Sequence, residues 1–310
     1  MSLIKEYNKL IEKGFSQRKA CKRLGIARST MQDRLKREAA WEAELREGSS
    51  GNGPRILILD VETAPVLGNV WQLFQQNVAL NQIQRDSYLL SFAAKWLGED
   101  EVFYYDKRDS WDTEDDSELL EPLWHLMDEA DIVLGQNSIR FDEKRINARF
   151  IINGFPPPSS YRSIDTLQMA KRHFGFTSNK LEYMTEKLCK KYKKLKHKNY
   201  PGFELWSGML RGELAAFEAC QEYNIYDILS TEELYTILRP WYKAHPNVNV
   251  YYDDNATRCK CGSLDWEHDG YTHTNLAKYD RFRCQDCGAE IRGSVNLLPK
   301  EKRATLGRNV

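Results

Sequence analysis

The chain has 310 residues, with 45 Lys plus Arg balanced by 45 Asp plus Glu, 41% apolar and 12% aromatic content. That composition excludes a disordered chain, and no apolar run approaches the roughly 20 residues needed to span a bilayer, so no membrane partner is expected. The size suits one large core with smaller satellites. The start, MSLIKEYNKLIEKG, is charged and amphipathic with no secretory pattern, which predicts a cytoplasmic protein.

Charge is uneven along the chain. Residues 1–40 hold eleven Lys or Arg against four Asp or Glu, a basic head that suits a polyanion. Leu3, Tyr7, Leu10 and Ile11 recur at helical spacing. Ser16 is placed to cap a second helix, Gly25 and Ile26 make a turn, and a third helix follows. Ala20, Leu24, Ile26, Met31 and Leu35 form the inward face. The segment resembles a helix-turn-helix module, which would put Arg28, Gln32 and Lys36 of the third helix in a DNA groove. A small helical bundle with solvated basic faces is the other reading. EGSSGNGP closes a polar linker over 41–54.

From 55 to 245 the pattern changes. RILILDVE, YLLSFAAKWLG and EVFYYDK read as strands, SELLEPLWHLMDEA as a helix, DIVLGQN as a strand and DEKRINARFIINGF as a helix. Strands first, then strands alternating with helices, predict an α/β domain: a mixed sheet flanked by helices. A seam follows RPWYKAHPNVNVYYDDN, and a cysteine-bearing segment begins.

Asp60 and Glu62 end the first apolar strand. Two apart, they share a face, and two converging carboxylates suit a hard cation such as Mg²⁺ or Mn²⁺. Acid-x-acid arises by chance about six times in such a chain, so the pair carries little alone. DIVLGQNSIRFDEKR then delivers Asn137 and Asp142 at a strand-to-helix transition. In EACQEYNIYDILSTEELY, Tyr223 and Asp227 are four apart on one helical face. Taken singly, these residues also read as strand-end solvation, a helix cap and a core tyrosine.

The ordered set D-x-E, N-x-x-x-F-D and Y-x-x-x-D resembles the three motifs of the DEDD superfamily of 3′-to-5′ exonucleases, built on the ribonuclease H-like fold. SIDTLQMAKRHFGF and the stretch from GFELW to EELY are similar to the segments leading into the third motif, as in phage and bacterial relatives of the family-B polymerase exonuclease domain. The resemblance covers about 190 residues, over 55–245. It implies two Mg²⁺ or Mn²⁺ ions held by Asp60, Glu62, Asp142 and Asp227, with Glu62 also steering the attacking water. Position 222 is Glu where the histidine branch would have His, so the tyrosine branch is implied. A phenol with an ordinary pKa near 10 is a poor base at pH 7, so Tyr223 would orient water or phosphate. Asn137 would contact the substrate strand. Asp165 reads chiefly as the cap of the helix TLQMAKRHF. The basic run CKKYKKLKHK, with Lys193 and Lys194, would supply phosphate contacts or be a solvated face.

Cys259 and Cys261, then Cys284 and Cys287, flank a segment able to form a hairpin; Cys21, Cys189 and Cys220 sit singly. Four thiolates brought together by two turns make a closed site for one structural Zn²⁺, with His268 and His273 as substitute ligands. The segment 255–295 resembles a zinc ribbon, with C-x-C where C-x-x-C is usual, and 296–310 is left as a tail.

The function expected from these parts is a metal-dependent 3′-to-5′ exonuclease acting on nucleic acid, DNA before RNA, in a bacterial or phage-infected cell and close to the nucleoid. Replication, repair or recombination proteins are the expected companions. A transposase or integrase of the same fold and a non-catalytic DNA-binding regulator are the alternatives.

Overall fold

The computed structural model of the protein describes residues 3–32, 35–36, 53–75, 77–193 and 200–307. Lys194 and most of the expected linker, 41–52, lie outside the described residues. The chain divides into two units, Met1–Asn52 and Gly53–Val310.

The first unit holds α1 (Leu3–Glu12), α2 (Gln17–Arg23) and a third helix, α3, described at 28–32 and 35–36. Tyr7, Ala20, Cys21 and Met31 form its core, with Leu10, Phe15, Leu24, Ile26 and Leu35 packed around them. These are the positions that helical periodicity turns inward. Gly25 takes φ +68° in the turn before α3, a conformation that costs glycine little. Ser16 occupies the cap position of α2, but its side chain makes no capping hydrogen bond.

The second unit is a mixed α/β structure. Its five-stranded sheet has the order β5-β4-β1-β6-β7, formed by β1 (Ile56–Thr63), β4 (Leu89–Trp96), β5 (Phe103–Asp106), β6 (Ile132–Gly135) and β7 (Arg162–Asp165). β1, β4 and β5 are antiparallel neighbours, whereas β6 and β7 run parallel to β1. This is the ribonuclease H-like arrangement. Helices α4 (Ser117–Glu129), α5 (Asp142–Ile152), α6 (Thr166–His173), α7 (Leu181–Leu188), α8 (Glu204–Leu210) and α9 (Leu214–Leu238) flank it.

Central β1 has neighbours on both edges and buries Ile56, Leu57, Ile58 and Leu59, which is why it reads as an unbroken apolar run. Ile56 and Ile58 share one cluster with Ile228, Leu234, Tyr235 and Leu238 of α9 and with Met169 and Met184 of α6 and α7. With a side-chain period of two, Asp60 and Glu62 continue the row that faces α9.

Two short strands the periodicity did not reveal, β2 (Leu67–Gly68) and β3 (Ile83–Arg85), form a separate antiparallel ribbon beyond the end of β1. The cysteine-bearing segment contains the expected hairpin, β8 (Trp266–Thr274) with β9 (Ala277–Cys284), and adds β10 (Glu290–Arg292) on β9. Backbone bonds to β9 continue past residue 295, with Leu297 N donating to Lys278 O, and the last stretch carries a short helix, α10 (Lys300–Ala304). No helix among the described residues is long and apolar enough to cross a membrane.

Candidate active site

Three separate regions bring the acidic residues to the carboxyl end of β1. β6 pairs with β1 only as far as Ile58, opposite Leu134, so the β6-side edge of β1 is open beyond that point. Asp142, the first residue of α5, fills the gap: its Oδ1 accepts the Val61 N–H at 3.1 Å, between Asp60 and Glu62 in sequence. The approach needs Gly135, since a Cβ there would meet Ser138 Cβ at 2.6 Å and Leu59 O at 2.9 Å.

The third region is α9, whose buried stripe includes Cys220, Tyr223, Asn224, Asp227 and Ile228 at spacings of three and four. Asn224 Nδ2 donates to Asp60 Oδ2 at 2.5 Å. Asn224 Oδ1 in turn accepts from Ser91 Oγ at 3.0 Å, and Ser91 stands opposite Glu62 on β4. Tyr223 lies near Asp227, whose negative charge acts on its hydroxyl. From α8, Trp206 Nε1 donates to Glu62 Oε2 at 2.8 Å.

The electrostatics are those of crowded acids. Burial is the main cause that pushes the Asp142 carboxyl up to about 7; the negative charges of Asp165 and Glu143 add to it, against the N–H groups of Val61 and Asp142 itself. Tyr223 is raised well above the ordinary phenol value, chiefly by burial and then by the charges of Asp227, Glu62 and Asp60. It stays protonated and acts as a donor. Four carboxylates from β1, α5 and α9 offer hard oxygen ligands of the kind Mg²⁺ or Mn²⁺ requires.

Asn137 lies at the end of β6 with φ +64°, and its N–H donates to Asp165 Oδ1 at 2.9 Å. Asp165 also accepts from Leu167 N and Gln168 N, so it caps α6 as its position suggested. Asn137 faces an open cleft of about 380 Å³ that it lines with Gln136, Leu167, Lys171, Asn179 and Lys180. Lys193 is paired with Glu186 at 3.2 Å on the surface. The start of its basic run is anchored to α9, where Glu233 accepts the N–H groups of Lys190, Lys191 and Tyr192. In the first unit Arg28, Gln32 and Lys36 are all exposed, four residues apart along α3.

The cysteines form a second centre. One ligand atom from each of Cys259, Cys261, Cys284 and Cys287 lies within 4.8 Å of all the others, and among the described residues this is the one group of acidic, His or Cys side chains so gathered. The set fits a zinc ion. Two tight turns create it. Gly262 (φ +92°) and Gly288 (φ +74°) follow the pairs, Gly262 N donating to Cys259 O and Gly288 N to Cys284 O. Burial raises the Cys259 and Cys261 thiols. It acts on Cys284 too, but there the N–H groups of Cys287 and Asp286 and the Ser263 side chain prevail and bring it down to about 7. His268 is engaged with Asp280 at 3.0 Å, outside the sulfur cluster.

Lys260, between the first two cysteines, donates to Pro240 O at 3.2 Å and Tyr242 O at 2.9 Å, just past the end of α9. Asn249 braces the same knuckle, accepting from Arg258 N and donating to Arg258 O.

Ser91, Trp206 and Asn224 were not among the residues singled out in the sequence. Only Asn224 left a signal there, as a polar position on the stripe that also holds Cys220 and Asp227.

No family model matches this chain, and no curated protein matches it. Among solved structures it is similar to the family B DNA polymerase from the hyperthermophilic archaeon Pyrobaculum calidifontis, with a TM-score of 0.44 and 15% identity over 61% of this chain. The match covers 25% of that polymerase.

Proposed function

We propose that the second unit is a metal-dependent 3′-to-5′ exonuclease of the tyrosine branch, with Asp60, Glu62, Asp142, Tyr223 and Asp227 as its active site. The observation that carries this reading is the convergence of β1, the start of α5 and the middle of α9, tied by the Val61–Asp142 and Asn224–Asp60 hydrogen bonds. Two divalent ions held by the four carboxylates would supply a hydroxide near neutral pH and offset charge on the leaving 3′ oxygen. Asn224 and Trp206 hold Asp60 and Glu62 in fixed orientations. Tyr223, kept protonated, donates to water or to a phosphate oxygen. Asn137 contacts the substrate strand.

In this reading 1–40 is a helix-turn-helix domain that contacts DNA through Arg28, Gln32 and Lys36. Residues 41–54 are a linker, 55–245 the nuclease, 255–295 a zinc ribbon and 296–310 a tail. DNA is the favoured substrate because the basic head suits it. Lys193 and Lys194 are proposed to contact phosphates.

The test is a gel time course on 3′-labelled and 5′-labelled single-stranded DNA and RNA with Mg²⁺, Mn²⁺ or EDTA, comparing wild type with Asp142→Asn and Asp227→Asn. The expected result is metal-dependent shortening from the 3′ end, reduced at least a thousandfold in either variant while folding and strand binding persist. Full activity of Asp227→Asn, or no cleavage of any strand by the wild type, overturns the assignment.

A further inference from the structure

Two residues past Glu62 the chain leaves the sheet and forms the β2–β3 ribbon and its loop, an arm with unusual chemistry. From Ala64 to Gln84 there is no Asp, Glu, Lys or Arg, in a chain where 29% of residues are charged. Its apolar side chains are nevertheless in water: Trp71 is 93% exposed, Leu73 87%, Phe74 79% and Leu80 87%. Contiguous exposed apolar groups of this kind mark interaction surfaces.

The base of the arm is built to hold it in place. Ala64 N donates to Tyr88 O and Ser87 Oγ to Ala64 O. Asn69 N donates to Gln82 O, while the amides of Gln82 and Gln84 reach back to Asn69. Ala64 and Tyr88 also pack in one buried cluster with Leu205 of α8 and with Ala216, Phe217 and Cys220 of α9. The arm is therefore continuous with the helices and the strand that carry Glu62 and Tyr223.

We propose that this arm is a binding surface for the unpaired bases of a single nucleic-acid strand, with Trp71 and Phe74 as stacking faces; the inference rests on the exonuclease reading. Aromatic faces stack on any base, and a neighbouring amide such as Asn77 meets base edges without sequence preference. The absence of acids matters equally. A polyanionic strand approaching a site with four carboxylates needs a path free of further negative charge, and this one has none over its whole length. With no lysine or arginine either, the arm holds bases while phosphates are held elsewhere. Its contribution is thus expected to be insensitive to salt.

The experiment measures binding of fluorescein-labelled dT12 and of an abasic 12-mer, which keeps the phosphates and lacks the bases, to the full-length protein in EDTA. Wild type is compared with Trp71→Ala/Phe74→Ala; both positions are exposed, so the fold should tolerate the change. The wild type should prefer dT12 about tenfold or more at every salt concentration, and the variant should lose that preference with abasic binding unchanged. Hydrolysis of p-nitrophenyl thymidine 5′-phosphate in Mn²⁺, a substrate with no strand to lay along the arm, should be the same in both proteins. Failure of that hydrolysis in the wild type would count against the exonuclease reading instead. Equal binding of both oligonucleotides by the wild type, or equal losses on both in the variant, overturns the proposal. So does wild-type self-association that the variant abolishes, since the arm would then be a protein-docking surface.

Discussion

Asn224 joins Asp60 to Ser91: its Nδ2 donates to Asp60 Oδ2 and its Oδ1 accepts from Ser91 Oγ, with the amide fully buried between β1, β4 and α9. Replacing it with Ala removes the donor that orients Asp60 and leaves the buried Ser91 hydroxyl without that acceptor. Asn224→Ala is expected to cost about 1–3 kcal/mol of stability in denaturant unfolding and to lower single-turnover cleavage. Ser91→Ala in the same background should cost little more, because the bond is already gone; fully additive effects would show that the bridge does not exist in solution.

Zinc content is directly measurable. The purified protein should hold one zinc per chain, and Cys284→Ser should lose it. A small segment with few buried residues depends on the ion for its folding energy, so a strong chelator should release the ribbon and lower the melting temperature. An unchanged melting curve after complete zinc removal would show that the ribbon is stable without metal.

His245 provides a pH signature. Its Nδ1 meets Pro246 O and its Nε2 meets the Tyr235 hydroxyl, each at 2.7 Å, which assigns a neutral ring that donates to Pro246 and accepts from Tyr235. Burial, opposed by the Pro246 carbonyl and reinforced by the charges of Lys260 and Arg239, pushes the imidazole down to about 4. The folded value lies below the unfolded one near 6.5. The unfolded chain therefore takes up the proton first, and the stabilisation present above pH 6.5 is lost as pH falls through about 4. For this half-buried ring the loss should be about 1–2 kcal/mol. His245→Gln, which keeps an acceptor for Tyr235 and cannot titrate, should flatten the stability profile over that range.

Removing residues 1–40 should weaken DNA binding most at low salt and make the dependence of log K on log salt shallower, by about one unit for each phosphate the basic head had neutralised. Cleavage of p-nitrophenyl thymidine 5′-phosphate should be unaffected. An unchanged salt slope would favour the alternative of a helical bundle used for docking or dimerisation.

What was legible in the sequence followed from period and order. Ile56 to Leu59 announced a buried strand because burial on both faces removes alternation, and Tyr223 to Asp227 announced one helix face because 3.6 residues make a turn. Trp206 was not legible, because its partner Glu62 lies 144 residues away, and Ser91 finds Asn224 across 133. Such pairs exist only after the fold brings them together. The β2–β3 ribbon escaped notice for another reason. Its strands span two and three residues, too short for a period of two to register, and its apolar residues face water.

α9 is a single rod of 25 residues, about 37 Å long. Near its middle stand Tyr223, Asn224 and Asp227; toward its end Tyr235 seats His245, and just beyond it the carbonyls of Pro240 and Tyr242 receive Lys260. In a helix each residue inserted or deleted rotates everything beyond it by about 100°. The stretch between Asp227 and Tyr235 therefore acts as a phase-setting ruler. Its length can change without cost to the pairing only in near-whole turns, and a one-residue indel there would turn the seat of the cysteine knuckle away while leaving every acidic side chain of the site present.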